Sequence, residues 1–397
     1  MKPSKIWLSS PHMGGTERNY VTEAFDTNWV APLGPNVQGF EQDINDYLKG
    51  QSKIHYHSAA LTSGTAALHL ALIMLKVQRN DAVLVQSFTF CGTTNPVVYQ
   101  GAELVFVDSE RDTWNIDPAA VQVAIDTLLA DGFGIPKKRE PRQGKGYIRA
   151  IIPVHLYGMP AKLDSLEAIA AEAGIPIVED AAEALGSSFK GRKCGTFGVM
   201  SALSFNGNKI ITTSGGGALV SSSQVHINKS RFLSTQARDN APHYQHSEVG
   251  YNYRMSNIVA GIGRGQMEVL DERVAQRRAN NKRYREFFSG ISGVTFQTEP
   301  STDYFSNYWL TTILIEPNLT GGITREDVRL ALEAENIETR PLWKPMHMQP
   351  VNFGSRFFGS GVCEELFEIG LCLPSGSNLT NDEFDRIFSA LSKVFKK

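Results

Sequence analysis

The chain lacks most of the features that would place it outside the ordinary globular class. Its 397 residues include four cysteines, Cys91, Cys194, Cys363 and Cys372, and no two stand in CxxC spacing. That scatter excludes a disulfide framework and a cysteine-built zinc site, and no metal is expected. Excess charge of one sign is missing too: 39 lysines and arginines face 41 aspartates and glutamates, a net charge of −2. With no basic surplus and no charged block, nucleic acid is not an expected partner. No apolar run is long enough to cross a bilayer, and the opening stretch from Met1 to Ser10 carries no long apolar region. A membrane partner is therefore not expected, and the cytoplasm is the expected location. Internal repeats and low-complexity tracts are also absent. What remains is a chain 42% hydrophobic and 20% charged, enough for one large core and a smaller second one.

Apolar runs at 82–90, 104–107, 150–156 and 176–179 alternate with helical patterns near 118–129 and 163–173. Continuous apolar strands separated by helices predict a mostly parallel sheet covered on both faces, an α/β fold whose ligands gather at the carboxyl ends of the strands. The polar stretch 131–146 reads as a solvated insertion. A charged pattern over 268–288 predicts a long helix, and beyond residue 290 the pattern changes to a smaller α/β unit. The expected organisation is a large domain with an N-terminal arm over 1–265, a linking helix over 266–290 and a small domain over 291–397. The Pro/Gly turns at Ser10 to Gly15 and Ala31 to Pro35 either edge a substrate pocket or belong to a packed arm.

Chemistry concentrates where strands end. Lys209 follows the apolar run 200–205 and precedes Gly215, Gly216 and Gly217, glycines read as permitting backbone angles that side chains forbid. Alone it could be a surface lysine at a loop tip. Burial disfavours the charged form of an amine, and a buried lysine can attack a carbonyl. Asp180 closes another strand. Ser63, Gly64 and Thr65 open an almost wholly apolar helix whose first N–H groups suit a phosphate. His69 inside that helix reads as a core histidine. A lysine, a strand-end carboxylate and a helix-start anion site are the parts that hold pyridoxal 5'-phosphate. The lysine forms the imine, the carboxylate keeps the ring nitrogen protonated, and Gly64, Thr65 and Ser204 supply donors to the phosphate. Phe90 is the candidate ring to stack on the pyridine.

These motifs, in this order, resemble the DegT/DnrJ/StrS family of sugar aminotransferases, pyridoxal phosphate enzymes of fold type I, the aspartate aminotransferase-like class. The resemblance runs from Gly34 to Glu41, through Ser63 to Thr65, Ser87 to Phe90, Glu179 to Gly186, Ser204 to Lys209 and Gly250 to Arg254, to Pro345 to His347. It implies that Lys209 is the Schiff-base lysine, that Asp180 pairs with the ring nitrogen, and that Asn252 reaches the phosphate of a neighbouring subunit in a homodimer. Where many members carry Gln or His, this chain has Glu183, which implies a different hydrogen-bonding group near the phenolic oxygen.

Further wording, at Ser10 to Gly15, Val30 to Gly34, Asn206 to Gly217, Ser234 to Arg238, Glu338 to Trp343 and Cys372 to Gly376, is similar to the PglE-type 4-aminotransferases that form UDP-N-acetylbacillosamine. That likeness implies transfer of an amino group from L-glutamate to C4 of a UDP-linked 4-keto-6-deoxy-N-acetyl sugar for bacterial glycan synthesis. A GDP- or dTDP-linked 3- or 4-keto sugar is the alternative substrate. His155, Arg238, Arg340 and His347 are candidates for binding the nucleotide diphosphate or the incoming carboxylate, or else structural ion pairs and satisfied histidines. A non-catalytic cofactor-binding regulator is the rival of another class. Lys209, Asp180 and Ser204 together speak against it.

Overall fold

The computed structural model describes residues 4–50 and 52–396. Met1 to Pro3, at the start of the N-terminal stretch, lie outside the described residues, as do Gln51 and Lys397. Two four-stranded halves make up the main sheet. One runs in the spatial order His57–Leu61, Gly217–Ser221, Met200–Ser204, Val178–Asp180, and the other Ile148–Ile152, Ala82–Gln86, Glu103–Val107, Arg356–Phe358. Parallel bridges from Ile151 to Ile177 and from Val154 to Asp180 join them. Only Gly217–Ser221 runs against its neighbours, pairing antiparallel with the strands on both sides. The expected mostly parallel sheet is therefore present, and the parallel strands end along one edge.

The helix Gly64–Met74 is buried on nearly every face because it is apolar throughout, and the Ser63 hydroxyl caps it by accepting from the N–H of Ala66 at 3.0 Å. Its Leu68 and Leu72 share one core with Val83, Val85 and Phe106 of the sheet. The apolar run 82–90 stops being a strand at Gln86, so residues 87–90 are free to curl over the sheet edge. The insertion 131–146 is solvated only in part, since Phe133 and Ile135 are buried in the core. The long helix expected over 268–288 is present as Leu270–Phe288, preceded across Val269 by the helix Asn257–Glu268, which the Ser256 hydroxyl caps.

The smaller unit has an antiparallel sheet, Val294–Phe296, Thr311–Ile315, Gly370–Leu373 and Arg340–Pro341. The helices Arg325–Ala334 and Asn381–Phe395 each start with a complete capping box, from Thr324 and Thr380. The chain crosses the expected division at two places. Ile6, from the N-terminal arm, is fully buried in the small core and pairs with Ile337. The strand Arg356–Phe358, from the C-terminal part, extends the large sheet beside Glu103–Val107. Just beyond it, the Asp108 carboxylate accepts from the N–H groups of Ser360, Gly361, Val362 and Cys363 at 2.7–3.0 Å. Burial raises that carboxyl, but the bonds from Cys363, Ser109 and Val362 outweigh it and hold it below the usual carboxylate range. No helix among the described residues is long and apolar enough to cross a membrane.

Candidate active site

The strand ends and the small domain enclose a cavity of about 670 Å³. Gly64, Thr65, Phe90, Asp180, Glu183, Ser204, Lys209 and Arg340 all line it. Lys209 lies just after the strand Met200–Ser204, its side chain 12% exposed. Its Nζ donates to Oε1 of Glu183 at 3.2 Å and lies 4.1 Å from the centre of the Trp309 ring. The Lys209 carbonyl is held from behind by the guanidinium of Arg277 at 3.4 Å, which also donates to Ser9 and to the Trp309 carbonyl. Burial pushes the fully enclosed Arg277 down to about 9.

Asp180 is buried across from the lysine. Its Oδ2 accepts from the Thr93 hydroxyl at 2.7 Å and its Oδ1 from the N–H of Ala182 at 3.1 Å. Burial lifts its carboxyl, and the bonds from Thr93 and Ala182 with the charge of Lys209 offset only part of that rise. Glu183 is raised by burial as well, against the pull of Lys209, and its Oε2 accepts from the N–H of Tyr157 at 2.8 Å. Tyr157 is a buried residue at φ 57°, a backbone angle uncommon outside glycine, and its hydroxyl accepts from the N–H of Trp343 at 2.9 Å. Trp309, Trp343 and Phe90 form an aromatic wall, with Trp7 of the N-terminal arm at the mouth.

The glycine-rich turn works differently from the expectation. None of Gly215, Gly216 and Gly217 has a positive φ, whereas Ser214 does, at 76°. Close approach explains two of them. A Cβ at Gly217 would collide with the N–H of Gly64 and the carbonyl of Ser63, and one at Gly216 with Thr213 and Met255. Glycine at 217 thus lets the start of the helix Gly64–Met74 sit directly against the strand Gly217–Ser221, beside Ser204.

The donors at the helix start suit the phosphate of pyridoxal phosphate. The N–H groups of Gly64 and Thr65 have no acceptor among the described residues, and the Ser204 side chain lies against Gly64, where a Cβ would meet it at 3.2 Å. An anion there would satisfy helix-end donors that otherwise face the cavity. A buried carboxylate opposite the amine suits a heteroaromatic cation.

Other candidates stand elsewhere. His155 is fully buried and does not line the cavity, which corrects its placement as a substrate contact. Its Nδ1 accepts from the N–H of Ala161 at 3.1 Å, and its Nε2 donates to Glu179 at 2.7 Å. Glu179 also accepts from the N–H groups of Gly195 and Phe197, and Cys194 completes the cluster. Each member of this group already has hydrogen-bond work to do. Glu179→Ala leaves three buried donors unpaired, and a loss of about 3–5 kcal/mol in a denaturant melt is the expected result.

His347 bonds to Ser87 at 2.7 Å and Glu364 at 3.1 Å and stacks on Phe357, away from the cavity. Its placement as a substrate contact is corrected for the same reason: both ring nitrogens are engaged. Arg238, stacked on Tyr244, and Asn252 are exposed and outside the cavity of this chain. His69 is a satisfied core histidine, bonded to Tyr253 and Gln100. Neither Pro/Gly turn lines the cavity; Trp7, Leu8 and Ser9 of the arm do. Residue-by-residue reading missed Thr93, Tyr157, Trp309 and Arg277. Thr93 and Tyr157 left a signal, Thr93 in the first turn of a helix that opens just after the strand-end run 87–90 and Tyr157 in the run 155–158 that follows another strand.

A model of the DegT/DnrJ/EryC1/StrS aminotransferase family matches residues 11–392. EpsN of Bacillus subtilis, assigned as a pyridoxal phosphate-dependent aminotransferase, is 47% identical over 395 residues, covering 98% of this chain and 96% of EpsN. GDP-perosamine synthase of Caulobacter vibrioides is 33% identical over 390 residues, 98% of each chain. Among solved structures, a DegT DnrJ EryC1 StrS aminotransferase from Brucella abortus superposes with a TM-score of 0.84 at 27% identity, over 96% of each chain. A fold-type I architecture, a lysine facing a buried carboxylate and a match across nearly the whole length converge on one conclusion: the chain belongs to the DegT/DnrJ/EryC1/StrS family of pyridoxal phosphate-dependent sugar aminotransferases.

Proposed function

We propose that the protein moves the amino group of L-glutamate onto C4 of a UDP-linked 4-keto-6-deoxy-N-acetyl sugar, in the cytoplasm, as a step of bacterial glycan synthesis. The observation that supports amino transfer is the juxtaposition of Lys209, Asp180 and the free helix-start donors around one aromatic-walled cavity, and the choice of a UDP-linked sugar rests on the likeness of the pocket-edge segments. Bound pyridoxal phosphate supplies an electron sink for the carbanion formed when an α proton is removed. The chain's own residues do the rest. Lys209 would be the amine that holds the cofactor's carbonyl group and the base and acid that moves a proton at Nζ. Asp180 would keep the ring nitrogen protonated. Gly64, Thr65 and Ser204 would hold the phosphate, and Phe90, exposed at the cavity edge, would stack on the ring.

Asn252, which lies outside the cavity of its own chain, is assigned to the phosphate of a second copy, and the proposed working unit is a homodimer. Arg340 faces the cavity with its guanidinium paired to Glu338 at 2.8 Å, placed to meet a diphosphate. Arg340→Ala raises the KM for the nucleotide sugar about tenfold with kcat nearly unchanged, the pattern of a lost binding contact, in steady-state assays.

A second reading, amination of a GDP-linked keto sugar, is favoured by the relatives named GDP-perosamine synthase, 31–33% identical. The deciding experiment offers the cofactor-loaded protein L-glutamate and a panel of UDP-, GDP- and dTDP-linked 3- and 4-keto sugars. Products are identified by mass and NMR. Amination of the UDP-linked 4-keto sugar alone supports the first reading, and of the GDP-linked one alone the second. Turnover of only a dTDP-linked 3-keto sugar overturns both.

A further inference from the structure

Tyr157 joins the reacting end of the cavity to the small domain. It stands in the turn 155–158 beyond the strand Ile148–Ile152, fully buried at φ 57° and ψ 17°, a left-handed backbone uncommon for a bulky residue. From there its N–H donates to Oε2 of Glu183 at 2.8 Å, and its ring packs against those of Trp309 and Trp343, with centres 6.4 and 5.3 Å away. The hydroxyl, kept protonated by burial, accepts from the N–H of Trp343 at 2.9 Å.

The segment it meets carries Arg340 and Trp343, both on the cavity wall. Three backbone N–H groups fix the course of residues 342–346. Leu342 donates to the Gly370 carbonyl at 3.1 Å, Trp343 to Tyr157, and Met346 to the Ser87 carbonyl at 2.8 Å. Of these three acceptors only the Tyr157 hydroxyl belongs to a side chain. A backbone carbonyl is present whatever the residue, so among the three it is position 157 where sequence decides how the segment stands relative to Glu183 and Lys209.

We propose that Tyr157 is the positioning residue for the sugar-binding wall: its hydroxyl seats Trp343, and with it Arg340, at the spacing from Lys209 that a nucleotide-linked keto sugar requires. The inference rests on the reading of Arg340 as the diphosphate contact. A keto sugar tethered to a diphosphate has to present its carbonyl carbon at Lys209 while the diphosphate meets Arg340, so a shift of the segment spoils one contact or the other. Glutamate brings no diphosphate, and its half of the reaction does not depend on that spacing.

The test compares the full chain, loaded with cofactor, with its Tyr157→Phe form, which keeps the ring and the N–H to Glu183 and removes the acceptor of the Trp343 N–H. Steady-state assays give kcat/KM for each substrate, and in an exchange reaction of two halves each value reports its own half. For the keto sugar it falls about fivefold, while for glutamate it stays within about twofold. In the Arg340→Ala background the same change lowers the sugar value only about twofold, because the contact it positions is already gone. Equal losses for both substrates, full multiplication of the two effects, or an unchanged sugar value in a folded variant overturns the proposal. If the Phe form melts before assay, Trp343→Leu decides, since it keeps the bond to Tyr157 and removes the indole from the wall. A loss for the sugar beyond about twofold with glutamate spared then supports the proposal, and any other result overturns it. An Arg340→Ala form that spares the sugar overturns instead the reading of Arg340 on which the inference rests.

Discussion

Lys209→Ala abolishes the visible absorption band of the cofactor-loaded protein and lowers turnover by about 10⁴-fold or more, while the fold survives. The size follows from removing two functions at once, the covalent anchor and the proton carrier, the second of which alone accounts for about 10²–10⁴-fold. The fold survives because the side chain touches little: one oxygen of Glu183 and the ring of Trp309. Glu183 is already raised by burial and can take up a proton once its partner is gone. Absorption spectroscopy, circular dichroism and a glutamate-dependent assay check the three parts. Turnover within tenfold of the unaltered protein would remove Lys209 from the chemistry.

Asp180→Asn separates stability from function. Activity falls by about 10³-fold, because a neutral amide cannot hold a proton on the ring nitrogen, although its carbonyl oxygen can still accept from the N–H of Ala182 while its amide N–H donates to a turned Thr93 hydroxyl. The cofactor-free variant melts higher than the unaltered protein at pH 7. The sign follows from the direction of the shift: an aspartate whose folded pKa is raised costs stability at pH values above its unfolded value, about 3.9. The cost grows until the pH passes the folded value and is constant beyond it. Asparagine carries no such cost, so the two melting curves converge in acid and separate as the pH rises. A variant that melts lower at pH 7 and gains nothing relative to acid would show that Asp180 is not a strained acid.

The main sheet was readable because its strands are continuous apolar runs, and an apolar run between helices has few other places to go. The residues that surround the cavity were readable for a related reason. Asp180, Ser204 and the run ending at Phe90 each close or succeed a strand, and parallel strands deliver the residues at their carboxyl ends to one edge. Histidines and arginines were harder. His155 is defined by Glu179, 24 positions away, and His347 by Ser87, 260 positions away, and such pairings leave no local pattern. Tyr157 is the sharpest case. Its side chain reaches the small domain while its N–H serves Glu183, and neither partner is near it in sequence. Of the glycines after Ser214, Gly217 is required by the backbone of Ser63 and Gly64 and Gly216 by the side chains of Thr213 and Met255, while a Cβ at Gly215 meets nothing; such approach is a tertiary fact that leaves no local pattern.

The exchange of segments between the two cores bears on how the molecule could be cut. Removing everything beyond residue 290 would strip the large sheet of the edge strand Arg356–Phe358 and leave Asp108 without the four backbone donors it gathers. Trimming the first ten residues would open a hole at Ile6 in the opposite core. Neither half is a detachable module, so fragments made for expression would be expected to aggregate.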